Sequence, residues 1–132
     1  MGLPDDAGEL TLPLRDVLEH IPEEWGRSLR VHRGWYQLVL RTHAKLLELD
    51  PSYEALQIKE KFGGLRYYHR LTNAADASLG WSIEAEAEIE SYTICELCGQ
   101  SGTLHKNTTY WQTLCQPCFE ERQAERATRG LT

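Results

Sequence analysis

Four cysteines carry the most legible chemistry of this 132-residue chain: Cys95-x2-Cys98 and Cys115-x2-Cys118, with sixteen residues between the pairs. A two-residue spacing aims two sulfurs at one point, and the intervening segment can fold back as a hairpin to bring the second pair to the same place. The expectation is one structural Zn2+ closed by four thiolates. Two disulfides are the rival reading, weakened by the absence of any apolar run behind a basic start in Met1 to Leu14, which predicts a cytosolic, reducing setting. A redox-active Cys-x2-Cys is a further rival, but two such pairs at this separation, the first followed by Gly99, favour a metal site.

The elements around the cysteines follow from their composition. Cys95-Glu96-Leu97-Cys98-Gly99 has the form of a zinc knuckle, residues 103–114 predict a short β-hairpin around Lys106 and Asn107, and Phe119 to Ala127 is a run of good helix formers. Early acids and the late Arg126 and Arg129 complement a helix dipole there. Knuckle, hairpin and a ligand pair at a helix start resemble the treble-clef zinc finger, with a zinc ribbon as the alternative. The treble clef is also the scaffold of HNH nucleases, and His105 and Asn107 lie where such an enzyme carries working residues. No acidic-His pair leads the hairpin and no His follows Cys118, so nuclease activity is not expected.

Upstream, residues 1–10 read as a loose acidic tail and residues 11–94 as a core of helix, β-hairpin and acidic helix, with residues 95–132 as the zinc module docked on it. The predicted class is α+β. Leu12 to His20 predicts a short helix stopped by Pro22. Trp35, Leu38, Val39, Thr42, Leu46 and Leu49 repeat at i, i+3, i+4, i+7, the pattern of an amphipathic helix that Pro51 ends, with Arg41 and Lys45 opposite. No stretch approaches the roughly 20 apolar residues of a membrane span.

Leu56 to Phe62 and Leu65 to Leu71 alternate on either side of Gly63-Gly64, predicting a β-hairpin with the two glycines as its turn. That register sets Phe62 against Leu65, Lys61 against Arg66 and Glu60 against Tyr67. Leu56, Ile58, Phe62, Leu65 and Leu71 share one face with Glu60, Tyr67 and His69, while Gln57, Lys59, Lys61, Arg66, Tyr68 and Arg70 share the other. Glu60, Tyr67 and His69 can be a general acid/base cluster, although no nucleophile accompanies them and a structural network is the plainer reading.

Charge is segregated along the chain. Residues 1–25 carry one cation and seven acids, residues 26–70 nine and four, residues 71–100 none and six, and residues 101–132 four and three, for a net -6. Ala74 to Ile94 reads as a helix with Trp81, Ala85, Ile89 and Tyr92 on one face and Glu84, Glu86, Glu88 and Glu90 elsewhere. Its i, i+4 acid pairs repel, and no cation on the same helix relieves them. Docking of this helix on the basic hairpin face is the economical expectation.

The run Gln57-Ile58-Lys59-Glu60-Lys61-Phe62-Gly63-Gly64-Leu65-Arg66-Tyr67-Tyr68, followed by Cys-x2-Cys-Gly and Trp111-Gln112-Thr113-Leu114-Cys115-x2-Cys118, resembles a group of small bacterial and phage proteins. The resemblance spans roughly Gly34 to Cys118. It implies a bacterial or phage cytosolic setting and brings no activity or catalytic residue with it.

Two functions follow as expectations. The first is a non-enzymatic interaction protein that binds another protein through Glu84, Glu86, Glu88 and Glu90 or the hairpin, as a phage-encoded inhibitor of a host system or a bacterial immunity or adapter protein. The second is a nucleic-acid-binding regulator using Lys59, Lys61, Arg66, Tyr68 and Arg70, against which net acidity counts.

Overall fold

The computed structural model describes residues 2–106 and 109–130. Its helices are α1 (Thr11–Glu19), α2 (Tyr36–Leu49), α3 (Ala77–Ser91) and α4 (Gln116–Thr128), and its strands form two hairpins, β1 (Glu54–Lys61) with β2 (Gly64–Arg70) and β3 (Thr103–His105) with β4 (Gln112–Leu114). The architecture is α+β, as the alternation of periodicities indicates. Among the described residues no helix is long and apolar enough to cross a membrane.

The apolar periodicity of the first two helices resolves into burial. Leu14, Val17 and Leu18 of α1 and Leu38, Val39 and Leu46 of α2 close over Trp35, Ile58, Leu65 and Tyr67. Asp50, just past α2, accepts from the Thr72 amide and hydroxyl at 2.7 and 2.8 Å, fastening the end of α2 to the end of β2. The first ten residues are not a loose tail. Ala7 is buried, Gly2 bridges to Ser28, and Tyr36 donates its hydroxyl to Asp6 at 2.6 Å.

The β1–β2 turn differs from the expected one. Lys61 pairs with Gly64, Glu60 with Leu65, Lys59 with Arg66 and Ile58 with Tyr67, so the turn residues are Phe62 (φ 55°) and Gly63 (φ 82°), the left-handed pair of a type I′ turn. Gly64 is needed for a different reason. A Cβ there would lie 2.5 Å from the Tyr92 hydroxyl, so its missing side chain lets α3 close on the hairpin. The turn itself is held by Glu60, which accepts from the Gly63 amide at 2.8 Å, and by Thr113, whose hydroxyl donates to the Gly63 carbonyl at 2.7 Å. Partners move by two residues from the expected register, and a two-residue slip preserves the faces. Ile58, Leu65 and Tyr67 are accordingly buried together, while Phe62 leaves the apolar face for the exposed tip. A bulge between Ala55 and Gln57 shifts the register by one, so that pairing resumes with Ala55 opposite His69 and Glu54 opposite Arg70, and Ala55 rather than the expected Leu56 is buried.

Both edges of this hairpin are covered. Arg30 lies beside Lys59, its amide donating to the Ile58 carbonyl at 3.0 Å and its carbonyl accepting from Glu60 at 3.2 Å. On the β2 side, the Leu65 amide donates to the Ser91 hydroxyl at 2.9 Å and the His69 amide to Glu84 at 3.0 Å. Strand edges left open template aggregation, and α3 closes this one with side chains rather than with a strand.

Candidate metal centre and partner surfaces

The four cysteines meet. One sulfur from each lies within 4.8 Å of the other three, and Cys98 Sγ is 3.6 Å from Cys115 Sγ. Sulfurs around a tetrahedral zinc at a Zn–S distance of about 2.3 Å stand about 3.8 Å apart, so the donor set fits a four-coordinate ion. Such a group can hold a metal ion.

Local backbone geometry places each sulfur. In the first loop, Gly99 (φ 84°) returns its amide to the Cys95 carbonyl at 2.9 Å, and the Cys95 amide donates to the Gln100 carbonyl at 2.7 Å. In the second, Cys115 is the residue before α4, Pro117 sits in its first turn, and Cys118 follows three positions after Cys115 on the same side. A helix start offers partial positive charge to thiolates. Burial pushes the Cys95 thiol up, but amides of Cys115, Cys98 and Leu97 aimed at its sulfur outweigh that and bring it down to about 7. Cys118 goes the other way, raised by burial and by thiol contacts with Cys115, Cys95 and Cys98.

The centre is wedged against the helical core. The Gly34 amide donates to the Glu96 carbonyl at 2.7 Å, and a Cβ on Gly34 would lie 2.1 Å from the Cys95 carbonyl oxygen. Trp35 donates its indole N–H to the Ile94 carbonyl at 2.9 Å. Glu96, between the first two cysteines, is 1% exposed and accepts from the His32 amide at 3.2 Å and from Gln112 at 3.5 Å. Burial, reinforced by the charge of Glu60, raises its carboxyl to about 7 against the pull of those donors and of Arg122. The spacing of the cysteines gives no hint of this acid.

The remaining candidate residues separate. Tyr67 shares a 2.6 Å hydrogen bond with Tyr53, Glu60 accepts from Gly63 and from Tyr110 at 2.9 Å, and His69 contacts Glu84, so Glu60, Tyr67 and His69 do not act on one another. His105 stacks on Phe119 with ring centroids 3.9 Å apart and donates through Nε2 to the Leu114 carbonyl at 3.2 Å, a clamp between hairpin and helix. Asn107 lies outside the described residues.

All four acids of α3 have partners within the chain. Glu84 contacts His69, Glu86 stands 3.8 Å from Lys45, Glu88 is 2.7 Å from Arg66, and Glu90 contacts Arg41. The consequence is a helix whose inner face is part acidic. Glu84 and Glu88 face the hairpin beside Gly80, Ala87 and Ser91, whereas Leu79, Trp81 and Ile89 are 55%, 67% and 68% exposed.

On the hairpin, Arg70 pairs with Glu54 and Arg66 with Glu88, while Lys59 and Lys61 make no ion pair among the described residues. The like-charge cross-strand pair is Lys59 with Arg66 rather than Lys61 with Arg66, and Arg30 extends it into a row of three cations across neighbouring segments. Arg30 was not legible as a member of this face, because a single bridging residue leaves no alternation to read. Tyr68 is 37% exposed one row away, opposite Gln57. No protein-family model matches the chain, and neither curated proteins nor solved structures yield a significant match.

Proposed function

We propose that this protein is a non-enzymatic protein-binding module in which one zinc ion, held by Cys95, Cys98, Cys115 and Cys118 in a treble-clef-like arrangement, braces the fold and α3 makes the contact. The treble-clef form is supported over a ribbon by α4 following the second pair directly. Four cysteine donors fill a tetrahedral ion and leave no position for a substrate.

The observation that carries the reading is the outward face of α3. A helix normally buries its apolar side chains and hydrates its acids. Here two of the four acids, Glu84 and Glu88, are drawn inward by His69 and Arg66, and Trp81 and Ile89 are left in water together on the outer face. The partner chemistry that suits them is an apolar groove receiving side chains spaced along one helix face. Glu86 and Glu90, beside the stripe, would orient the docked helix by charge.

The row Arg30, Lys59 and Arg66 favours a second reading, a nucleic-acid regulator gripping a phosphate backbone across the hairpin. One experiment separates the two. Wild type, a Trp81→Ala/Ile89→Ala variant and an Arg30→Glu/Lys59→Glu variant serve as parallel baits at low and moderate salt. Loss of a defined protein with the α3 variant alone, at unchanged melting temperature, supports the module. Equal capture by the α3 variant removes it, and salt-sensitive nucleic acid lost with the charge variant installs the second reading.

A further inference from the structure

Far from the cysteines, α1, α2 and the start of the hairpin bring together a second group of ligand-type side chains. Asp16 and His20 stand at i, i+4 on one side of α1 and its C-cap, and His43 comes across from α2. One donor atom from each lies within 4.8 Å of the other two. His43 Nε2 is 2.7 Å from the Asp16 carboxylate, and the rings of His20 and His43 meet edge-on with centroids 4.9 Å apart.

The surroundings of the two imidazoles are what a ligating histidine requires. A carbonyl only accepts, so the 2.8 Å bond between His20 Nδ1 and the Tyr53 carbonyl fixes the proton on Nδ1 and leaves Nε2 with its lone pair. His43 Nδ1 is bonded to the Tyr53 hydroxyl, which is in turn bonded to Tyr67 at 2.6 Å. Phenols both donate and accept, so this pair serves His43 whether Nδ1 carries the proton or not. Ligating histidines are oriented in this way, by a backbone carbonyl or another polar group on the second ring nitrogen.

We propose that Asp16, His20 and His43 form a second metal site, open where the four-cysteine centre is closed, for a divalent first-row transition ion, zinc above all. His43 binds through Nε2, His20 through Nε2 and Asp16 through a carboxylate oxygen. The donor set of two imidazoles and a carboxylate suits borderline cations rather than calcium or magnesium. His43 is nearly buried and fixed by its neighbours, whereas the Asp16 side chain is 59% exposed. Ion entry exchanges the Asp16–His43 hydrogen bond for two metal bonds and moves the His43 proton from Nε2 to Nδ1, towards Tyr53. Three protein donors leave the remaining positions to water on the side of an open cleft of about 390 Å³, whose floor includes Ser52 and Glu54.

The test counts metal on the full chain. Wild type, Asp16→Asn and His20→Ala are equilibrated with micromolar Zn2+, desalted and assayed for metal against protein, with the same series repeated in Co2+ for its spectrum. The expected result is one ion fewer per chain in both variants, with the intense thiolate-to-cobalt absorption of the cysteine centre unchanged. Tyr53→Phe, which keeps the Tyr53 carbonyl and removes the hydroxyl behind His43, is expected to weaken the second ion by about tenfold in a chelator competition. Melting curves without added metal show that the variants are folded. Equal metal content in wild type and both variants overturns the site, as does a second ion taken up only at millimolar concentration.

Discussion

Glu88 Oε2 lies 2.7 Å from Arg66 Nη1, an ion pair whose alignment misses hydrogen-bond geometry and whose guanidinium nitrogen makes no hydrogen bond. Arg66 is 19% exposed and stands opposite Lys59, so Glu88 is the charge that makes the cationic row tolerable. Glu88→Gln is therefore expected to cost about 1–2 kcal/mol in urea unfolding, as a partly buried guanidinium loses its counter-ion. Glu86→Gln, at the exposed 3.8 Å contact with Lys45, is expected to cost less than about 0.5 kcal/mol. Equal costs would show that α3 is not held by its inward acids.

Phe62 occupies a left-handed backbone position at φ 55° with its ring 61% exposed and edge-on to Trp111 at 6.1 Å. Asparagine tolerates that conformation better than any aromatic residue. Phe62→Asn should stabilise the hairpin by about 1 kcal/mol, less whatever the Trp111 contact contributes. A lower melting temperature in the variant would mean that the ring contact outweighs the strain.

Glu96 ionises near 4.5 in an unfolded chain and at about 7 in the fold. A carboxyl raised by folding binds its proton more tightly in the native state, so its penalty is absent below pH 4.5, grows between pH 4.5 and 7, and is complete above. Glu96→Gln keeps an oxygen for the His32 amide and removes the titration. Its stability relative to wild type should rise across that window by up to roughly 3 kcal/mol, measured by denaturant unfolding at a series of pH values with the metal content held constant. A difference independent of pH would place the proton elsewhere.

If the four cysteines hold zinc, its loss should reach well beyond the segment that carries them. Structural zinc contributes on the order of 10–16 kcal/mol of apparent binding energy that is largely folding energy. Because Trp35 donates to Ile94 and Gly34 to Glu96, chelation or Cys98→Ser should diminish the near-ultraviolet tryptophan dichroism, to which the buried Trp35 contributes, along with the hairpin. A chelated chain that keeps its tryptophan dichroism and melting temperature would show that the metal does not hold the fold.

How much of this was readable depended on how local the determinants are. The cysteine centre was, because each pair needs only a two-residue loop. The buried face of the hairpin was too, since Ile58, Leu65 and Tyr67 stay together through a two-residue slip, yet the turn was not, because Gly64 answers to Tyr92, far away in sequence. The periodicity of α3 sets Trp81, Ala85 and Ile89 on one exposed side, but Tyr92, expected with them, lies against Gly64 of the hairpin. Which side turns inward is decided by His69, Arg66 and the open edge of β2, none of which lies on the helix. Asp16 and His20 carried a signal in their i, i+4 spacing, but His43 joins them only through packing.

Gly34 presses the approach to α2 onto the carbonyls of Cys95 and Glu96 with no room for even a methyl group. A thiolate centre standing on a frayed hairpin trades its ion as often as the hairpin opens. Here the first loop lies under that contact, so an ion held by the four thiolates would be slow to leave by way of Cys95 and Cys98.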